Sequence, residues 1–216
     1  MTTENVRLTR RRAATRRVKD SPLSEEDWIE AANELLVREN VRGVKLERLC
    51  TKLGVTKGSF YWHFKKRSDL LDAMLTAWRR RMTLNIIQTT NERGGSVMDR
   101  IGRLLLLPRN GKARAAAAVE QSMRDWSRRG EKPLAAVREV DELRVNYFEQ
   151  LFREGGFGSA EARRRGYLAY CMMMGDSILR DTVPDLMDDK DYVAAAVALL
   201  NRADSSAMRA PGRSRA

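Results

Sequence analysis

Histidine is nearly absent: His63 is the only one in 216 residues. One imidazole cannot supply a two-histidine metal site, and its place in the segment described below leaves no Ser-His-Asp arrangement to argue. Cysteine is scarce too. Cys50 and Cys171 stand far apart and build no disulfide framework, which fits a reducing cytoplasm. No apolar run approaches the roughly 18 residues that a membrane helix needs, and the basic N-terminus lacks the apolar core of a signal peptide. The expected location is cytoplasmic, with no membrane partner. No phosphate-cradling glycine loop, internal repeat or strand-like alternation with turn signals is present. The acidic cluster Asp181, Asp185, Asp188, Asp189 and Asp191 lacks the ordered spacing of a calcium loop and reads as solvated or as a helix N-terminal charge set. The expectation is an all-α protein that is not an enzyme, with no catalytic residues, no metal and no cofactor.

Positive charge is what the chain has in excess. Lys and Arg number 41 against 29 Asp and Glu, a net charge of +12 and a pI near 10.2. That favours a polyanionic partner over a merely solvated basic surface. The excess is dense at the start, where Arg7, Arg10, Arg11, Arg12, Arg16, Arg17 and Lys19 have almost no apolar company. Such a stretch cannot form a core and is expected to be disordered in isolation. It is either a solubilising tail or an arm that follows a phosphate backbone or enters a minor groove. Its position directly before the most distinctive segment favours the arm.

That segment is Leu53–Phe64, LGVTKGSFYWHF. It follows an apolar helical run of Leu46, Leu49, Cys50 and Leu53. Gly54 there allows a left-handed backbone and a sharp turn into a second helix, which the Thr56 hydroxyl is placed to cap. Phe60 and Phe64, four apart, form one narrow buried stripe. Lys57, Ser59, Tyr61, Trp62 and His63 carry donors, and basic residues flank both sides. A helix so divided is suited to a DNA major groove, with Lys57 as first choice for donating to guanine O6 or N7, and Gly58 admitting close backbone approach. Cys50 reads as a small buried apolar group.

Helical patterning extends through the chain. Ser24-Glu25-Glu26-Asp27 has the form of a capping box before a core face of Trp28, Ile29, Ala32, Leu35 and Leu36, ended by Asn40–Gly43. A second helix spans Lys45–Leu53. A fourth begins near Arg67 and continues through Leu70, Leu71, Met74, Leu75, Trp78, Met82 and Ile86 to Gly94–Gly95. Further helices are expected over 97–107, over 113–129, from Pro133 to Gly155–Gly156, over 159–180 and over 185–202.

The run Gly54-Val55-Thr56-Lys57-Gly58-Ser59-Phe60-Tyr61-Trp62-His63-Phe64, then Arg67 and Leu70–Leu71, resembles the DNA-binding domain of the tetracycline-repressor (TetR) family over about residues 24–80. Less specifically, Trp126, Pro133, Val140-Asp141, Arg144, Phe152, Gly156-Phe157 and Glu161-Ala162 resemble the effector-binding and dimerisation domain of many members. The resemblance implies a basic arm (1–20), a helix-turn-helix DNA-binding domain (21–66), a helical effector-binding and dimerisation domain (67–203) and a disordered tail (204–216). It implies a sequence-specific regulator, commonly a repressor, that binds double-stranded DNA at a palindromic operator as a homodimer and is released by a small, apolar effector through a population shift. The DNA-binding set is Lys45, Thr56, Lys57, Gly58, Ser59, Tyr61, Trp62, His63, Lys65 and Arg67, with Tyr61, His63 and Arg67 anchoring the backbone. Lys45 stands where the family has a capping threonine or serine, and Arg67 where it has lysine. Met123, Trp126, Tyr147, Phe148, Tyr170, Met173 and Met174 are the candidate effector pocket, although apolar residues at this spacing also suit plain core. Tyr167, Tyr170, Cys171, Met174, Ile178, Ala194–Ala196 and Ala198 are the candidate dimer packing. The alternative is a basic DNA-binding protein of low specificity that answers to no effector, which would not need a large second helical domain.

Overall fold

The computed structural model describes residues 22–111 and 113–202. The arm over 1–20 and the tail over 204–216 lie outside the described residues. Among these residues every regular element is helical. The expected capping box forms. Asp27 N donates to Ser24 Oγ at 3.3 Å, and the Asp27 carboxylate accepts from Ser24 N at 2.8 Å. It opens α1 (Glu25–Gly43), whose expected core face is buried. Asn40, at φ 58°, breaks α1 where the sequence places its end. After α2 (Leu46–Leu53), Gly54 at φ 71° makes the left-handed turn into α3 (Lys57–Tyr61).

A longer rod follows: α4 (Arg67–Arg79), one π turn (Arg80–Leu84), and α5 (Asn85–Glu92). The sequence marks the extent of this rod but not its π turn. Next come α6 (Val97–Leu105), a short 3-10 turn at Leu107–Arg109, and α7 (Ala113–Ser127). α8 (Glu131–Glu154) starts two residues before Pro133, because first-turn amides have no helical partner and proline there forfeits nothing. α9 spans Ser159–Leu179. α10 (Asp189–Asn201) starts later than expected, at the Asp188 cap, whose carboxylate accepts from Asp191 N at 2.8 Å. Asp188, Asp189 and Asp191 thus form a helix N-terminal charge set.

The core lies in two apolar clusters. One joins α1–α4 to Met123 and Trp126 of α7 and to Val137 and Val140 of α8, so packing runs straight across the expected domain edge at 66/67. The other gathers α6, the second half of α8, α9 and α10 around Ile101, Leu105, Leu151 and Phe152. Each large side chain fully buried here, such as Trp28 or Phe152, stabilises the fold by about 1.5–3 kcal/mol. α8 and α9 approach closely at Gly166, where an added Cβ would lie 2.7 Å from Glu149 N and 3.0 Å from its Cα. Backbone cannot yield as a flexible side chain does. Gly166→Ala is therefore expected to destabilise the protein by about 1–3 kcal/mol, read as a lower urea midpoint at unchanged m-value, whereas Gly111→Ala, facing open space, leaves the midpoint in place.

Candidate nucleic-acid interface and ligand cavity

α3 holds its place through Phe60 and Phe64, which are 1% and 5% exposed and pack edge-on and tilted against Trp28 and each other. That stripe turns the rest of the segment outward. Thr56, Lys57, Gly58, Tyr61, Lys65 and Arg67 are exposed, as is Lys45 at the start of α2, while Ser59 and His63 are half-buried. Trp62 is 89% exposed, an apolar surface that folding leaves mostly in water. His63 lies 6.4 Å from Trp28 and 6.3 Å from Phe64, ring to ring. A Cβ at Gly58 would meet only Thr56 Oγ1, at 3.5 Å. The fold therefore does not demand glycine there, and a partner's close approach would.

Of four details here, one agrees with the sequence reading, the missing cap at Lys45, and three differ from it or were absent from it. The Thr56 hydroxyl does not cap α3. The helix is a single turn, and Ser59 N already donates to the Thr56 carbonyl at 3.2 Å. Lys45 makes no side-chain cap, as its chemistry requires. Arg67 donates from Nε to the Val44 carbonyl and from Nη2 to the Val41 carbonyl, both at 2.5 Å, and so ties the end of α1 to the start of α4. Lys57, the first choice for reading bases, is ion-paired with Glu47 of α2 at 2.7 Å. The bond between them holds the Glu47 carboxyl below and the Lys57 ammonium above their ordinary pKa values. The turn at Gly54 brings the first turns of α2 and α3 together, which sequence spacing alone does not reveal.

A carboxylate on this face repels phosphate and occupies Lys57. Glu47→Gln is expected to raise affinity for random duplex DNA several-fold at low salt and to steepen the log–log salt dependence by about one unit, the gain of one phosphate contact. An unchanged slope in a filter-binding titration would show that the pair with Glu47 does not withhold Lys57 from phosphate.

The seven candidate pocket residues separate. Met123 and Trp126 belong to the apolar cluster shared with α1–α4. Tyr147, Phe148 and Met173 line a cavity of about 30 Å³. Met173 and Met174 line one of about 80 Å³ with Met82, Ile86 and Leu107. Tyr170 lines neither. Its hydroxyl belongs to a buried polar network that sequence reasoning missed. Of the candidate dimer residues, Tyr167, Cys171, Ile178, Ala194, Ala195 and Ala198 are exposed, whereas Tyr170 and Ala196 face their own protomer's interior and Met174 faces the larger cavity.

The network centres on Arg144 and Glu120, both buried. Arg144 spends five donors: two on the Glu120 carboxylate at 3.1 Å each, and one each on Thr83 Oγ1 (3.1 Å), the Met82 carbonyl (3.0 Å) and the Tyr170 hydroxyl (3.3 Å). Glu120 also accepts from Trp78 Nε1 at 3.2 Å and Arg124 Nε at 3.0 Å. Arg124 grips Asp141 at 3.0 and 2.5 Å, and Tyr170 donates to Asp141 at 2.5 Å. Burial works to raise the Asp141 pKa, but the bonds from Arg124 and Tyr170 outweigh it and leave it below the usual range. The signal available in sequence was Arg144 falling on the apolar stripe Val137, Val140, Tyr147, Phe148.

Burial foremost, with the proton given to Asp141, pushes the Tyr170 hydroxyl up to about 12. A pKa raised on folding adds stability that is complete below the unfolded value near 10 and vanishes as pH rises through about 12. Wild type should therefore lose denaturant resistance across that window by more than Tyr170→Phe does, and equal losses in paired urea melts would contradict the assignment.

Residues 29–74 match the family of bacterial regulatory proteins described as the tetR family. The class D tetracycline repressor of Escherichia coli is 40% identical over 52 residues, 24% of this chain and 24% of that protein. The match thus spans about a quarter of that relative. Over a longer extent, the fold is similar to that of a transcriptional regulator from Rhodococcus sp. Rha1 (TM-score 0.67, 17% identity, covering 83% of this chain and 95% of that one). It is also similar to that of FadR from Bacillus subtilis, solved in complex with stearoyl-CoA (TM-score 0.59, 16% identity, covering 82% and 96%).

Proposed function

Because this chain belongs to the tetR family of bacterial regulatory proteins, we propose that it is a repressor that binds a palindromic operator as a homodimer and is released by a small-molecule effector. One observation carries the DNA half of this reading: Trp62, 89% exposed, projects from a basic surface whose own aromatic stripe is buried. Around it, Lys57, Ser59, Tyr61 and His63 are the groups to meet bases and phosphates, with Lys45, Thr56, Gly58 and Lys65 beside them. Arg67 enters through whatever donor its two carbonyl bonds leave over. Phosphate contacts supply affinity and base contacts specificity, and one short helix reads few base pairs, so a two-fold dimer suits the surface.

The dimer half rests on α9 and α10. Tyr167, Leu168, Ile178, Leu179 and Leu199 are each more than half exposed. An apolar stripe of this length beside the exposed Ala194, Ala195 and Ala198 suits a four-helix bundle with the same helices of a second copy. The release half rests on the two cavities, which touch Thr83, Arg144 and Glu120 and so adjoin the helix that runs back to α3. FadR of Bacillus subtilis, solved with stearoyl-CoA, has a similar fold, which supports a small-molecule ligand for this one. Its coupling to DNA equals the ligand's differential affinity for two states.

Selection of bound sequences from a random DNA pool tests the reading. An enriched palindrome is expected, with Lys57→Ala and Tyr61→Ala each weakening it by about 1–3 kcal/mol, and light scattering at micromolar concentration should give a dimer. Enrichment of nothing, with binding that merely follows salt, would favour the low-specificity DNA-binding protein instead.

A further inference from the structure

Beside these two cavities lies a larger pocket of about 460 Å³ lined by α5, α6 and the turn that follows α6. Its polar lining is Asn85, Thr89, Thr90, Arg93, Arg103 and Asn110, and no carboxylate lines it among the described residues. Arg103 donates to the Gly94 carbonyl, yet its buried Nε has no partner. Asp99, one turn away, offsets part of its charge. Arg93 is exposed and makes no ion pair among the described residues. Net positive charge therefore faces this pocket.

Ile86 and Leu107 line all three spaces. They are the lining that the cationic pocket shares with the apolar spaces beside it. The interior beyond is walled by Met82, Met173 and Met174, unbranched side chains that adapt to a guest.

We infer that the effector is an acidic amphiphile, with its anionic head on Arg93 and Arg103 and a compact apolar tail passing Ile86 and Leu107 toward the methionines. This rests on the proposed release by a small molecule and replaces the purely apolar effector expected from sequence. Charge-assisted hydrogen bonds from guanidinium to an acid are among the strong ones, and a neutral tail-matched analogue forgoes them. The cavities beside it, about 80 and 30 Å³, admit only the end of an eight-carbon tail, and the rest of the chain stays in the larger pocket.

The probes are octanoate, 1-octanol, octyl phosphate and inorganic phosphate, titrated calorimetrically into the full-length protein, with operator affinity measured in parallel. Octanoate and octyl phosphate are expected to bind about tenfold or more tighter than 1-octanol. Arg93→Gln, a change at an exposed residue, is expected to erase most of that preference, while Leu107→Ala is expected to tighten 1-octanol and octanoate alike. Equal binding of octanol and octanoate, a preference that survives Arg93→Gln, inorganic phosphate binding as tightly as octyl phosphate, or no binding of any probe would each overturn the assignment. If octanoate binds as expected and operator affinity does not move, the site stands and the proposed release mechanism fails.

Discussion

The buried Arg144–Glu120 pair is the contact on which the arrangement of helices depends. Two charges taken out of water are costly unless every donor and acceptor is used. Here the account closes. The five N–H groups of Arg144 have five partners, and the Glu120 carboxylate accepts four bonds. Those partners come from α4, the π turn, α7, α8 and α9. Apolar packing alone would let these helices slide in register, whereas directional bonds to a planar guanidinium do not. Removing one member would strand the other in a low-dielectric interior, typically at about 3–5 kcal/mol, which ties each helix to the placement of the rest.

The π turn at Arg80–Leu84 acquires its meaning from this pair. A π turn loosens the regular i to i+4 ladder and re-aims nearby groups. The Met82 carbonyl and Thr83 hydroxyl, both within it, are bonded to Arg144. The helix that starts beside α3 is thus interrupted just where the polar network holds it. Above the break it packs in the cluster shared with α1–α3. Below it, Ile86 and Ile87 pack against the second cluster. The two cores meet through one fastened turn.

Much of this was legible from residue order, and the reasons are local. Gly54 needs its left-handed backbone, Ser24 and Asp27 need only each other, and Phe60 and Phe64 announce burial by spacing. What was not legible depends on elements distant in sequence. Glu47 meets Lys57 only after the turn folds α2 onto α3. Arg67 finds the carbonyls of Val41 and Val44 only once α1 has ended beside it. Met123 and Trp126 carry no mark distinguishing core from pocket, and the tertiary fold assigned them to packing under α1. Thr56 shows the limit of a local rule: a residue with cap chemistry and cap backbone makes no side-chain cap on this one-turn helix.

Magnitudes then decide how a ligand could act. Coupling between a ligand site and a distant surface is typically about 1–3 kcal/mol, less than the cost of parting a buried, fully bonded charge pair. A ligand of ordinary affinity would therefore leave Arg144 and Glu120 joined in both states. What can move within that energy are side chains and segments outside the network: Ile86 and Leu107, which line the cavities, and α5 below the π turn. Met82 and Thr83 of the π turn and Trp78 of α4 are all bonded into the network, so a guest that pushed Ile86 outward would displace α5 about that fastened turn. The same bonds that make the fold rigid at its centre would thus confine a response to a pivot at the π turn, on a rod that runs from the cavities to the surface around Trp62.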